Sequence, residues 1–146
     1  MRRPHAVPVV LLVFAVFSAF TSVVIVAAEE RRPIPELDPD QHFDVNAYHE
    51  ADGWIVSDTN GDGSIDYALK LDEDLRKVME ALDFSNDGRM DNFYFYRRDA
   101  LIREEIDTNH DGRVDLWVYL EGGVYVVRWE RDTNHDGYID KVRVYR

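Results

Sequence analysis

One nine-residue pattern recurs four times in this 146-residue chain. The copies are "DTNGDGSID" (58–66), "DFSNDGRMD" (83–91), "DTNHDGRVD" (107–115) and "DTNHDGYID" (132–140), with starts separated by 25, 24 and 25 residues. Each has Asp at positions 1, 5 and 9, Gly at position 6 and an apolar residue at position 8 (Ile65, Met90, Val114, Ile139). A fixed period of this kind marks a fold built from small supersecondary units that hold together only when stacked. Between loops the period leaves room for two strands of ordinary length and nothing larger.

The segments after the loops read as strands. "YALKL" (67–71), "NFYFYR" (92–97), "LWVYL" (116–120) and "KVRVYR" (141–146) are rich in aromatic and β-branched residues. Turn candidates follow at Asp72-Glu73-Asp74, Arg98-Asp99-Ala100 and Glu121-Gly122-Gly123, and "LIREEI" (101–106) and "VYVVRWER" (124–131) run back to the next loop. "LRKVMEAL" (75–82) places Leu75, Val78, Met79 and Leu82 at helical spacing, but its place in the repeat requires a strand, and the repeat is followed. The expected fold is all-β: an antiparallel meander of β-hairpins with hairpin turns along one edge and the nine-residue loops along the other. "DPDQHFD" (38–44) opens a degenerate earlier unit without the Asp-Gly core, read as a cap. Aromatic residues fall on both strand faces, with Phe93, Phe95 and Trp117 against Tyr94 and Tyr96, so each side needs cover.

The N-terminal segment is of another kind. Arg2 and Arg3 precede an almost unbroken apolar run from Ala6 to Ala28, and Val26-Ala27-Ala28 offers small residues for cleavage before Glu29. Residues 1–28 are read as a cleaved secretory signal helix; the alternative is an uncleaved membrane anchor, since residues 6–28 are long enough to span a bilayer. Either reading places residues 29 onward outside the cytoplasm, secreted, periplasmic or membrane-anchored. Residues 29–37, "EERRPIPEL", read as a solvated linker, and 38–146 as the repeat domain.

The loops carry the chemistry. A hard cation such as Ca²⁺ takes six to eight oxygen ligands, and a loop can wrap it with side chains at positions 1, 3 and 5 and a backbone carbonyl at position 7. Gly at 6 permits the sharp turn, Asp at 9 closes the shell, and the apolar residue at 8 pins the loop to the core. Mg²⁺ fits less well, because it demands strict octahedral geometry and keeps its waters. The charge agrees: 17 Lys+Arg stand against 29 Asp+Glu, a balance that argues against nucleic acid as a partner. There is no cysteine, which removes disulfides and thiolate metal sites. His110 and His135 at position 4 are expected to point outward.

The loops resemble the DxNxDGxxD calcium loops of FG-GAP repeats in integrin-type β-propellers and those of thrombospondin type 3 repeats. They are EF-hand-like without the full EF-hand: position 12 is Leu69, Tyr94, Val118 or Arg143, where an EF-hand has a bidentate Glu. Up to four calcium ions are implied by the resemblance. Its ligands would be Asp58, Asn60, Asp62, Asp66 and the Ser64 carbonyl in the first loop, and Asp83, Ser85, Asp87, Asp91 and the Arg89 carbonyl in the second. The third would use Asp107, Asn109, Asp111, Asp115 and the Arg113 carbonyl, and the fourth Asp132, Asn134, Asp136, Asp140 and the Tyr138 carbonyl. The second loop is the weakest, since Ser85 is short and neutral. A period near 25 holds only half of a four-stranded propeller blade.

These readings point to an extracytoplasmic protein in which calcium is structural, stapling successive hairpins. The alternative is a calcium-dependent adhesion module whose Trp117, Tyr119 and Trp129 contact a cell-surface glycan or protein. No catalytic constellation is visible: there is no nucleophile elbow, no HExxH and no carboxylate pair outside the loops.

Overall fold

A computed structural model of the protein describes residues 31–145; the signal or anchor read at 1–28 lies outside them. Ten strands form: β1 (Arg32–Pro33), β2 (Trp54–Ser57), β3 (Tyr67–Leu71), β4 (Lys77–Leu82), β5 (Asn92–Arg97), β6 (Ala100–Ile106), β7 (Leu116–Glu121), β8 (Tyr125–Arg131), β9 (Tyr138–Ile139) and β10 (Lys141–Val144). Eight of them make one sheet in the order β10-β8-β7-β6-β5-β4-β3-β2, with every neighbour antiparallel. This is the expected all-β meander. The described residues contain no α-helix, only two short 3-10 turns at Val45–Ala47 and Glu50–Asp52.

The helical spacing of residues 75–82 is overridden by pairing. Lys77–Leu82 forms β4 between β3 and β5, while Leu75 sits outside it in a turn, 79% exposed and at φ +61°. Asp72 builds that turn, its Oδ1 accepting the amides of Asp74 and Arg76 at 2.9 Å each. Neighbouring strands supply hydrogen bonds along both edges of β4, which outweighs a modest helix propensity.

Register assigns each side chain to a face. One face carries Val56, Ala68, Ala81, Phe93, Glu105, Trp117, Glu130 and Val142 in a row across the sheet. Residues 31–53 cover it. Tyr48 is fully buried, packs edge-on against Trp54 with ring centroids 4.7 Å apart, and donates its hydroxyl to the His42 carbonyl at 2.7 Å; Phe43 meets Phe93 in the same manner at 5.4 Å. Burial of such rings is the main favourable term here. Two carboxylates share this interior. Glu105 is held by Arg103 at 2.8 Å and Gln41 at 3.0 Å, and Glu130 by Arg32 and Arg128. Burial pushes the Glu105 carboxyl above its usual range, with Arg103 and Gln41 pulling it back.

Two expectations change. The segment read as a solvated linker is docked from Arg31 on: β1 pairs with β9, and the Ile34 amide donates to the Gly137 carbonyl at 3.1 Å. Its prolines suit an edge strand that lacks donors, and Ile34 packs on the core. The degenerate unit at 38–53 is a lid over one sheet face, because its 3-10 turns replace the hairpin that a further repeat would need.

The opposite face has no cover among the described residues. Ile55, Leu69, Glu80, Tyr94, Glu104, Val118, Trp129 and Arg143 lie along it. Glu80 anchors its polar centre, accepting Tyr67 Oη at 2.6 Å and Lys77 Nζ at 2.7 Å, with Tyr96 as a third partner.

Candidate metal centres

All four nine-residue loops lie along one edge of the sheet. They connect β2 to β3, β4 to β5, β6 to β7 and β8 to β10, the last containing β9. Their backbones repeat one conformation. Position 4 is left-handed in each (Gly61, Asn86, His110, His135), and so is the glycine at position 6. Asparagine and histidine are among the non-glycine residues that tolerate this region best.

The Asp at position 1 organises the loop. Its carboxylate accepts the position-6 amide in every copy: Gly63 to Asp58 at 2.8 Å, and Gly88 to Asp83, Gly112 to Asp107 and Gly137 to Asp132 at 2.7 Å each. Side chains at 3 and 5 add their own turns. Asn60 accepts the Asp62 amide at 2.9 Å and Asp62 that of Ser64 at 2.8 Å, while Asp87 and Asp136 accept the amides of Arg89 and Tyr138 at 3.0 and 3.2 Å. These bonds curl the backbone at positions 3 to 7 of each loop. In the third loop a Cβ at Gly112, where φ is +85°, would also collide with the Arg89 guanidinium.

The Asp at position 9 closes the loop from the other side. Asp66 accepts the amides of Thr59 and Asn60 at 2.9–3.1 Å and the Thr59 hydroxyl at 2.8 Å. Burial pushes the Asp66 carboxyl upward, but these donors bring it net below the usual carboxylate range. Asp115 accepts the Thr108 amide at 3.1 Å and hydroxyl at 2.7 Å, and Asp140 the Thr133 amide at 3.2 Å and hydroxyl at 2.7 Å. In the second loop position 2 is Phe84, 75% exposed, and Asp91 accepts the Phe84 and Ser85 amides with no hydroxyl donor. The threonine at position 2 therefore belongs to the loop, and its recurrence in "DTN" was the available signal.

Consecutive loops are laced together. The amides of Asp83, Asp107 and Asp132 donate to the carbonyls of Asp66, Asp91 and Asp115 at 2.9–3.0 Å. The position-4 side chains reach back over the preceding loop. His110 Nδ1 lies 3.5 Å from Asp91, His135 Nδ1 lies 3.4 Å from Asp115, and Asn86 bonds Asn60 at 2.9 Å. The histidines thus meet the closing aspartate of the neighbouring loop instead of pointing only to solvent.

Six loop carboxylates are buried: Asp66, Asp83, Asp91, Asp107, Asp115 and Asp132. Asp58, Asp62, Asp87, Asp111, Asp136 and Asp140 are exposed, as are Asn60, Ser85, Asn109 and Asn134. Among the described residues no three acidic or histidine side chains converge on one point, and the carboxylates accept loop amides. The fourth loop has a cation of its own, since Arg31 bonds Asp136 and holds that carboxyl below its usual range against slight desolvation.

Residues 104–116, which enclose the third loop, match the EF-hand family model. The loop is EF-hand-like, and its aspartate frame recurs along the chain. No curated protein matches the sequence. Among solved structures, the chain is similar to "Crystal structure of accessory secretory protein 1,2 and 3 in Streptococcus pneumoniae" at 12% identity and a TM-score of 0.42. The match covers 75% of this chain and 22% of that one.

Proposed function

We propose that this is an extracytoplasmic calcium-binding repeat protein in which Ca²⁺ ions, up to four, staple successive hairpins of an all-β sheet. The observation that carries the reading is the loop frame: four copies, each with the position-6 amide 2.7–2.8 Å from the position-1 carboxylate. The buried acids along that edge give the ions an energetic role, since buried charge is costly until it is paired. The placement outside the cytoplasm rests on the N-terminal sequence. Calcium is abundant there, and modules in that setting bind it with dissociation constants of about 10⁻⁴–10⁻³ M. At ~1 mM calcium and a constant near 10⁻⁴ M, each ion stabilises the folded state by about 1.4 kcal/mol. Four would contribute about 5–6 kcal/mol, comparable with the whole stability of a small domain.

The role we propose is not enzymatic. Thermal melts in 1 mM calcium and in excess chelator test the reading, with a large fall in melting temperature expected on chelation. Superimposable melts would sink it.

A second reading is favoured by one feature, the uncovered sheet face. Trp117 is 1% exposed and belongs to the core, and Tyr119 is half-buried on the covered face. Trp129 lies on the open face, beside Val118 of β7. An adhesion module would use that face, and a glycan array with Trp129→Ala as the control would expose it.

A further inference from the structure

The third and fourth loops are near-identical in sequence, "DTNHDGRVD" and "DTNHDGYID", yet their charged neighbours differ: Asp115 at position 9 of the third faces Arg131 at 3.8 Å and His135 at 3.4 Å, whereas the fourth meets its cation at position 5. Asp136, at position 5 of the fourth loop, is paired with Arg31. Among the described residues, the equivalent Asp62, Asp87 and Asp111 take part in no ion pair. Arg31 is also positioned by three further contacts. Its guanidinium lies over the Tyr138 ring, 5.1 Å from the centroid, Arg32 and Pro33 pair with Ile139 and Tyr138, and Arg32 reaches the buried Glu130. The N-terminal arm thus lays a tethered positive charge on the very loop that it bridges.

We propose that Arg31 is the residue that sets the calcium affinity of the fourth loop, competing with the ion for Asp136. The inference rests on the calcium reading of the loops. For Asp136 to turn inward as a ligand it must give up Arg31, or the ion must bind beside a fixed positive charge; either weakens binding relative to the same loop without Arg31. By linkage, calcium in the fourth loop weakens the hold of the arm on Asp136 by the same factor. Both partners are partly solvated, with side chains 57% and 37% exposed, so the effect is modest, up to about fivefold in affinity.

The test uses the glycine amides at position 6 as one reporter per loop. The full-length chain, ¹⁵N-labelled and held in detergent micelles, is titrated with CaCl₂ while the Gly63, Gly88, Gly112 and Gly137 amides are followed by NMR. Arg31→Ala should lower the calcium midpoint of Gly137 severalfold and leave that of Gly112 in place. Arg31→Glu should lower it further. A Gly137 midpoint that both variants leave unmoved overturns the proposal, as does a Gly137 amide that never titrates while Gly112 does. If none of the four amides responds to calcium, the calcium reading itself fails, an outcome distinct from the other two.

Discussion

The two edges of the sheet solve the same problem, reversing the chain between antiparallel strands, with opposite chemistry. On the hairpin edge the reversals are short, and their acids (Asp72, Glu73, Asp74, Asp99, Glu121) are exposed. Asp72 bonds its own turn, and Asp99 accepts the Lys77 amide at 3.0 Å. On the loop edge nine residues do the work of two to five, and six of the aspartates are buried. A solvated acid in a turn costs little, whereas a buried one costs several kcal/mol unless compensated. The hairpin edge is therefore complete as a polypeptide. Under the calcium reading proposed above, the loop edge is completed by cations.

The sharpest way to break this contrast is to remove one acid from the loop edge and measure stability with and without calcium. Asp115 is the best choice: it is 2% exposed, it closes the third loop on Thr108, and Arg131 and His135 face it. In calcium, Asp115→Ala should cost about 3 kcal/mol, combining a lost ligand with orphaned donors. In chelator the loss should shrink to about 1 kcal/mol, because deleting a buried acid offsets part of it. Denaturant melts under both conditions give the difference; equal losses would mean that the loop edge needs no cation. Next in size is Gly112→Ala, which forces a side chain to φ +85° against the Arg89 guanidinium. It should cost about 1–2 kcal/mol by the left-handed backbone penalty alone, with or without calcium.

The period made most of this architecture legible. Four loops about 25 residues apart, with strand-like flanks, leave few arrangements other than a meander with two unlike edges, and even the helical-looking Leu75–Leu82 yields to that argument. The loop frame was legible to the same degree, because the Asp and Gly positions that shape its backbone are a local property of the sequence. What escaped is what depends on pairs distant in sequence. Nothing in "EERRPIPEL" says that Arg32 will lie beside Ile139 or that Arg31 will sit on Asp136, more than a hundred residues away. Likewise, a histidine at position 4 looks solvated until the stacking of loops places the preceding Asp beneath it.

A smaller effect sharpens the contrast within the loop edge itself. Thr108→Val keeps the shape of position 2 but removes the hydroxyl that bonds Asp115 at 2.7 Å and accepts Arg131 at 2.7 Å. It makes the third loop resemble the second, where Phe84 offers Asp91 no hydroxyl. The cost should be about 1 kcal/mol, seen as a parallel fall in stability and in calcium affinity by titration calorimetry.

The smallest effect belongs to the hairpin edge and serves as the control for all the others. Asp72→Ala deletes a carboxylate that accepts two amides at 2.9 Å in an exposed turn. Water can take over both donors, so the loss should be about 0.5–1 kcal/mol. The decisive part is its calcium dependence. Asp72 carries the same formal charge as a loop aspartate, and if calcium stabilised the protein merely by screening net negative charge, Asp72→Ala would reduce that stabilisation as much as Asp115→Ala does. If the ions act at the loops, Asp72→Ala leaves the calcium-induced gain in stability untouched, and the two edges differ in kind.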